Sequence, residues 1–292
     1  MADSAYANET IRLLHERASV RQFDEREIAP DVLRTVLEAG THAPTGGLQP
    51  YSIIVIEDRE TKQRILELDG GVQKQIVEAP VDLLFCLDMN RNRRWADLEA
   101  APFTAASSFE EWWISFQDTV ICAQSIVTAA DAVGLGSVYI GTVYWYFQEL
   151  REMLGMPEGV FPIVLLCVGY PRGDRPAPRK KLGAEVVIHE GRYREIPDPD
   201  LLAAFAAKHG GRIEATDERV DGIARVCRRV GGAALELKCL DKMRENGYIS
   251  PVQYIYGLVY CADKGIEGNE RYLELLEGAG FDWFKPHPLP ED

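Results

Sequence analysis

Apolar and polar positions alternate with two different periods along this chain. In Glu9–Glu16, Ile11 and Leu14 fall on one side, which predicts a short helix. A second helix is predicted from Pro30 to near Gly40, because proline suits a first helical turn and Ile28, Val32, Leu33, Val36 and Leu37 recur at helical spacing. Residues 44–50, Pro-Thr-Gly-Gly-Leu-Gln-Pro, fit neither period, since prolines and adjacent glycines interrupt both, and they are predicted as a loop. Residues 51–57 and 81–87 are β-branched and apolar, as buried strands are, with a helix between them around residues 59–68.

Residues 90–116 have an irregular pattern rich in arginine and aromatic rings, which reads as a lid or short helical excursion whose rings would also suit a core. The strongest helical pattern spans residues 118–133, with Ile121, Ile126, Val127, Ala130 and Val133 set among small residues, and Gly134-Leu135-Gly136 stops it. Residues 137–143 return toward strand, 148–154 read as a short helix, and 162–169 as a third buried strand. A Pro- and Arg-rich linker, 172–181, then leads to a predicted last strand at 185–189. Strands alternating with helices imply an α/β or α+β core, with the connectivity left open. From about residue 197 the composition changes: 201–205, 220–243, 251–261 and 270–276 read as helices. The expected division is therefore a core over 1–196 and a helical extension over 197–292. Apolar positions at Ala224, Val230, Leu237 and Leu240 suggest that the extension covers a dimer surface or an active-site mouth.

Charge narrows the partners. A net charge of −14, from 32 basic and 46 acidic side chains, opposes binding to nucleic acid or to an anionic membrane. The longest apolar runs are too short to cross a bilayer, and the polar, acidic start of the chain does not read as an export signal. Six cysteines, at 86, 122, 167, 227, 239 and 261, form no CxxC pair and no metal-type spacing. They read as reduced thiols of a cytoplasmic protein, and no metal site is expected.

Against this acidic background two basic clusters stand out. Arg17-Ala18-Ser19-Val20-Arg21 sets two guanidinium groups on either side of a hydroxyl, and arginine's fork of N–H donors matches phosphate oxygens while staying charged at any working pH. Pro178-Arg179-Lys180-Lys181 is the second cluster. Each alone would also suit a solvated surface. His42, beside the 44–50 loop, is read as a structural or solvent-exposed imidazole.

Together with the 44–50 loop and the turn from Gly134-Leu135-Gly136 to Ile140-Gly141, the basic clusters make four pieces in one order. In that order, over residues 9 to 190, the chain resembles the nitroreductase family of flavin-mononucleotide (FMN) oxidoreductases. The resemblance implies an α+β, three-layer sandwich with a central mixed sheet flanked by helices, here carrying an added C-terminal helical extension. It also implies a domain-swapped homodimer with FMN at its interface, NAD(P)H as electron donor and a small-molecule acceptor. Arg17, Ser19, Arg21, Arg179 and Lys181 would hold the phosphate, and main-chain N–H groups near Ile140 and Gly141 would lie beside flavin N5. Pro44, Thr45 and Gln49 would contact the ring across the interface. The loop departs from the family pattern: it is one residue shorter and lacks an asparagine, so that contact is either lost or replaced by the N–H of Gly46 or Gly47. Trp95, Trp112 and Trp113 would wall a planar substrate; Tyr144-Trp145-Tyr146-Phe147 would do so or serve as core or dimer interface. The expected reaction is ping-pong hydride transfer from NAD(P)H through N5 to a nitroaromatic, quinone or activated alkene. A flavin-binding regulatory module without turnover, or an oxygen-dependent flavin-fragmenting enzyme of the same fold, are the alternatives.

Overall fold

The chain is described over residues 6–289 in a computed structural model and separates into two units. One unit runs to Pro178 and resumes at Glu274; the other comprises Arg179–Leu273. The first unit contains, in order, α1 (Glu9–Glu16), α2 (Pro30–Thr41), β1 (Tyr51–Ile56), α3 (Arg59–Leu68), α4 (Gln75–Glu78), β2 (Val81–Asp88), α5 (Asn90–Glu99), α6 (Phe109–Ala132), β3 (Gly136–Ile140), α7 (Phe147–Leu154) and β4 (Val160–Gly169). The strands lie in the order β1-β2-β4-β3, each antiparallel to its neighbour, and one row across the sheet reads Ile54, Leu84, Leu165, Ile140.

Every residue of β2 is buried, so the central sheet is covered on both faces. Leu83 and Phe85 join Val36 of α2 and Cys122, Ile126 and Val127 of α6 in one apolar layer. Leu84 and Cys86, one residue out of phase, join Ile65 of α3, Ile76 of α4 and Leu150 of α7 in the other. The expected three-layer α+β sandwich is present. Its four strands are antiparallel, and a parallel pairing occurs at the isolated bridge Ser19↔Ser137.

Residues 90–116 are more regular than their sequence suggests. They supply α5 and the first two turns of α6, which starts at Phe109 because the Ser108 hydroxyl accepts the Glu111 N–H at 3.3 Å and Glu110 and Glu111 occupy the first turn. The strand predicted at 185–189 is replaced by a single helical turn, α8 (Ala184–Val187). Val187 and Ile188 are exposed there, and among the described residues no neighbouring strand pairs with them, so their β-branched pattern has nothing to complete.

The second unit continues with α9 (Asp198–His209), α10 (Asp217–Asn246), α11 (Pro251–Tyr254), a π-helical turn at Ile255–Val259, and the start of α12 (Ala262–Gly278). Of the apolar positions singled out in this region, Ala224 is buried, whereas Val230 and Leu237 are exposed. The last stretch of chain belongs to the first unit. Leu276, Ala279 and Phe281 are fully buried, Phe281 meets Phe161 edge-on, and the Arg151 guanidinium donates to the Gly278 carbonyl at 2.6 Å. Trp283 then packs on Phe109 and Trp112 of α6.

Candidate functional site

The segment 17–24 crosses the start of β3 and the end of β4. The Val20 N–H donates to the Ser137 carbonyl at 3.0 Å, and the Asp24 N–H to the Tyr170 carbonyl at 2.9 Å. This close crossing needs a glycine beneath it: a Cβ on Gly136 would stand 2.5 Å from Val20 Cγ2. Val20 and Phe23 point inward as core, which leaves the alternate positions Ser19 and Arg21 on the other side of the segment, half-buried and exposed respectively.

Arg17 leaves the end of α1 and extends over β3, with its guanidinium 5.7 Å from the Tyr139 ring centroid. Its Nε and Nη2 are buried and make no hydrogen bond among the described residues. Burial pushes the Tyr139 hydroxyl up to about 12, with Arg17 pulling the other way, so the ring stays neutral and serves Arg17 as an aromatic face rather than as a counter-ion. Buried guanidinium nitrogens left without a hydrogen-bond partner are costly. The arrangement therefore suits an anion supplied from outside the chain.

Behind Arg17, the C-terminal end of α6 is tied down by a cation that the sequence reading did not separate from its linker. Arg175 pairs with the buried Asp131 at 2.7 Å and donates to the Leu135 carbonyl. Gly134 ends the helix in the left-handed region, at φ 84°, which favours glycine. At the other end of β3, buried Ile140 leads into exposed Gly141, where an added Cβ would meet no atom within 4 Å. Packing within the chain does not demand that glycine. The rise from Ser137 to Gly141, about 13 Å at strand spacing, separates the cationic end of β3 from its glycine end.

The 44–50 loop lies elsewhere in the first unit. It precedes edge strand β1, whereas Arg17, Ser19, Ile140 and Gly141 lie along the opposite edge strand, β3, three strand spacings or about 14 Å away across the sheet. Pro44 and Gln49 are exposed and Thr45 is half-buried. Two anchors unremarked in the sequence fix the loop. The buried Asp118 carboxylate accepts the Gly46 N–H at 3.0 Å, and Arg91 donates to the carbonyls of Gln49 and Tyr51. The Gln49 side-chain amide donates to the Thr41 carbonyl at 2.9 Å, while Gln49 itself sits at φ 45°. Of the two amides considered as substitutes for the missing asparagine, Gly46's is thus already engaged; Gly47, at φ 110°, donates to Thr45 Oγ1 at 3.3 Å.

The remaining expected positions divide similarly. Arg179 and Lys181 are exposed residues at the start of the second unit, in a stretch without regular structure. Trp112 is core, whereas Trp95 and Trp113 are half-exposed. Tyr146 and Phe147 are buried, with Phe147 against Phe161 at 5.0 Å, so the 144–147 run is chiefly core, although Trp145 remains exposed. His42 is exposed.

Comparison with known proteins gives one consistent result. A model of the nitroreductase family matches residues 14–170. The FMN reductase [NAD(P)H] of Bacillus subtilis is 36% identical over 217 residues, covering 74% of this chain and 86% of that protein. Among solved structures, B. megaterium NfrA2 superposes with a TM-score of 0.70 at 28% identity, over 95% of this chain and all of that one. The NADPH:FMN oxidoreductase from Vibrio harveyi, complexed with NAD+, gives 0.62 at 29% identity, over 68% of this chain and 84% of that one.

Proposed function

The chain belongs to the nitroreductase family, and from that premise we propose that it is an FMN-dependent NAD(P)H oxidoreductase that reduces small electron-poor acceptors by a ping-pong mechanism. The observation that carries this reading is Arg17, whose Nε and Nη2, buried and without a hydrogen-bond partner among the described residues, fit the phosphate of a flavin mononucleotide. FMN held here would supply hydride-transfer chemistry between NAD(P)H and an acceptor such as a nitroaromatic, quinone or activated alkene.

The chain's own residues hold and orient. Arg17 supplies buried N–H donors, Ser19 a hydroxyl and Arg21 a second cation on the same segment, while Tyr139 keeps the Arg17 plane in place from below. Gly141 leaves room for a flat ring to approach the main chain near Ile140. The arrangement asks for no side-chain acid or base, and the residues supply position and electrostatics.

The separation of the two edge strands supports a site built from two copies. Pro44, Thr45 and Gln49 lie about 14 Å across the sheet from Ile140 within one chain, too far to touch the same ring edge. A second copy would bring its own loop to the β3 edge. Leu48, Trp113, Ile114 and Ile121 are exposed beside that loop and along α6, an apolar face suited to such a partner. The six free thiols fit a reducing, cytoplasmic setting.

The purified protein should be yellow, bleach anaerobically with NADH or NADPH, and regain colour on adding a quinone. A protein that takes up FMN yet never bleaches with either nicotinamide is a binding module without turnover. One that cannot be loaded with FMN overturns the assignment.

A further inference from the structure

Helix α10 is assigned thirty residues, Asp217–Asn246, and a straight helix of that length would span about 45 Å. Its two ends nevertheless meet. Ile213, before the helix, and Ile249, after it, exchange two main-chain hydrogen bonds at 3.0 and 2.9 Å. The chain doubles back at Gly232, whose φ of 69° and ψ of −170° lie outside helical geometry and in the region that favours glycine. The Arg228–Glu236 ion pair spans this bend, joining side chains that a straight helix would hold about 12 Å apart along its axis.

The resulting hairpin has regular rungs, and its numbering is symmetric about the bend. Gly231 faces Leu235, since a Cβ there would stand 2.7 Å from Leu235 Cβ; Ile223 and Met243 share the buried cluster of this unit. Between those rungs, at the same mirror positions, stand Cys227 and Cys239, both half-buried and both packed on that cluster. The two thiols lie near enough to interact, and burial, reinforced by the neighbouring Cys239, pushes Cys227 up to about 12. On its other side the Cys239 sulfur accepts from the Gln253 side-chain amide at 3.5 Å.

From this facing pair we propose a redox modification site that the flavin reaction does not use: peroxides convert Cys227 and Cys239 into a reversible disulfide that staples the two limbs of α10. The Cys239 thiolate attacks one peroxide oxygen and breaks the O–O bond, giving a sulfenic acid and hydroxide, or alkoxide from an organic peroxide. The Cys227 sulfur then displaces the sulfenic hydroxyl, which leaves as water with the Cys227 proton, while the hydroxide or alkoxide takes up the proton that Cys239 released. Two thiols are oxidised by two electrons, and the peroxide is reduced to water, or to water and an alcohol. The sulfur held by Gln253 reacts first, and the thiol kept protonated serves as the resolving partner.

The test uses the full-length protein treated with hydrogen peroxide, alkylated without reduction and digested with trypsin. The Val-Cys-Arg peptide containing Cys227 and the Cys-Leu-Asp-Lys peptide beginning at Cys239 are expected joined, with both restored together by dithiothreitol. In Cys227→Ser, Cys239 should stop at sulfenic acid or oxidise further; in Cys239→Ser, Cys227 should remain a thiol at the same dose. Circular dichroism of both variants checks that the hairpin is retained. Independent alkylation of the two thiols after peroxide overturns the site, as does linkage of either to Cys261. Oxidation of Cys227 at the wild-type rate in Cys239→Ser overturns the assigned order.

Discussion

Arg17 holds its guanidinium 5.7 Å from the centre of the Tyr139 ring, and two of its nitrogens are buried there without a hydrogen-bond partner among the described residues. A charge-assisted hydrogen bond contributes roughly 1.5–3 kcal/mol. Arg17→Ala is therefore expected to weaken FMN binding by about 10- to 100-fold, measured by quenching of flavin fluorescence. Arg17→Lys, which keeps the charge but loses the planar fork, should recover only part of it. Equal FMN affinity in Arg17→Ala would remove Arg17 from the phosphate site.

The link between Asp118 and Gly46 makes a separate claim about the loop. Asp118→Ala frees the Gly46 amide and is expected to lower stability by about 1–2 kcal/mol. Residues 44–50 should then be cleaved faster in limited proteolysis. Asp118→Asn keeps one acceptor oxygen and should protect the loop partially. A loop equally resistant in all three proteins would show that other contacts hold it.

These two relationships differ in how far the sequence reveals them. The cationic stretch at 17–21 and the breakers at 44–50 announce themselves locally, as do α1 and α3, because capping residues and apolar spacing lie within a few positions of one another. Asp118 and Arg91 reach the loop from 72 and 42 residues away, and nothing nearby in sequence pairs them with it. Residues 90–116 conceal two helical segments because their inward positions include polar side chains, Asn92 and Ser115, which break the apolar stripe. At 185–189 a β-branched run mimics a strand but lacks a neighbour, and pairing is a property of the fold rather than of the segment.

The chain after Leu273 is expected to behave as core rather than appendage. Phe281 is fully buried against Phe161, so Phe281→Ala should cost about 3–5 kcal/mol and lower the midpoint of thermal unfolding by several degrees. Truncation after Leu273 removes Leu276 and Ala279 as well and should destabilise the first unit further. A truncated protein with an unchanged melting curve would refute the placement of this segment in the core.

Ile121 lies on the outer face of α6 and is 39% exposed, which is unfavourable for a large apolar side chain unless another surface covers it. Ile121→Asp is expected to convert a dimer into a monomer in sedimentation velocity and to release FMN, because the loop of a second copy would no longer reach the β3 edge. A variant that remains dimeric would exclude this face. One that becomes monomeric yet binds FMN normally would show that a single chain suffices for the cofactor.

Asp82 gives a pH dependence with a defined sign. Its carboxyl sits on β2 opposite Cys167, fully buried, and burial raises it to about 8, with the buried Lys62 only partly opposing the shift. In the unfolded chain the same group titrates near an ordinary aspartate value of about 4. Between those limits the folded protein retains a proton that the unfolded chain releases. The associated stability is fully present below about pH 4 and declines as pH rises toward 8. Asp82→Asn has nearly the same shape and no charge to bury, so the wild type should lose melting temperature relative to the variant between pH 5 and pH 8. A constant difference across that range would mean that Asp82 is ionised throughout, paired with Lys62 inside the core.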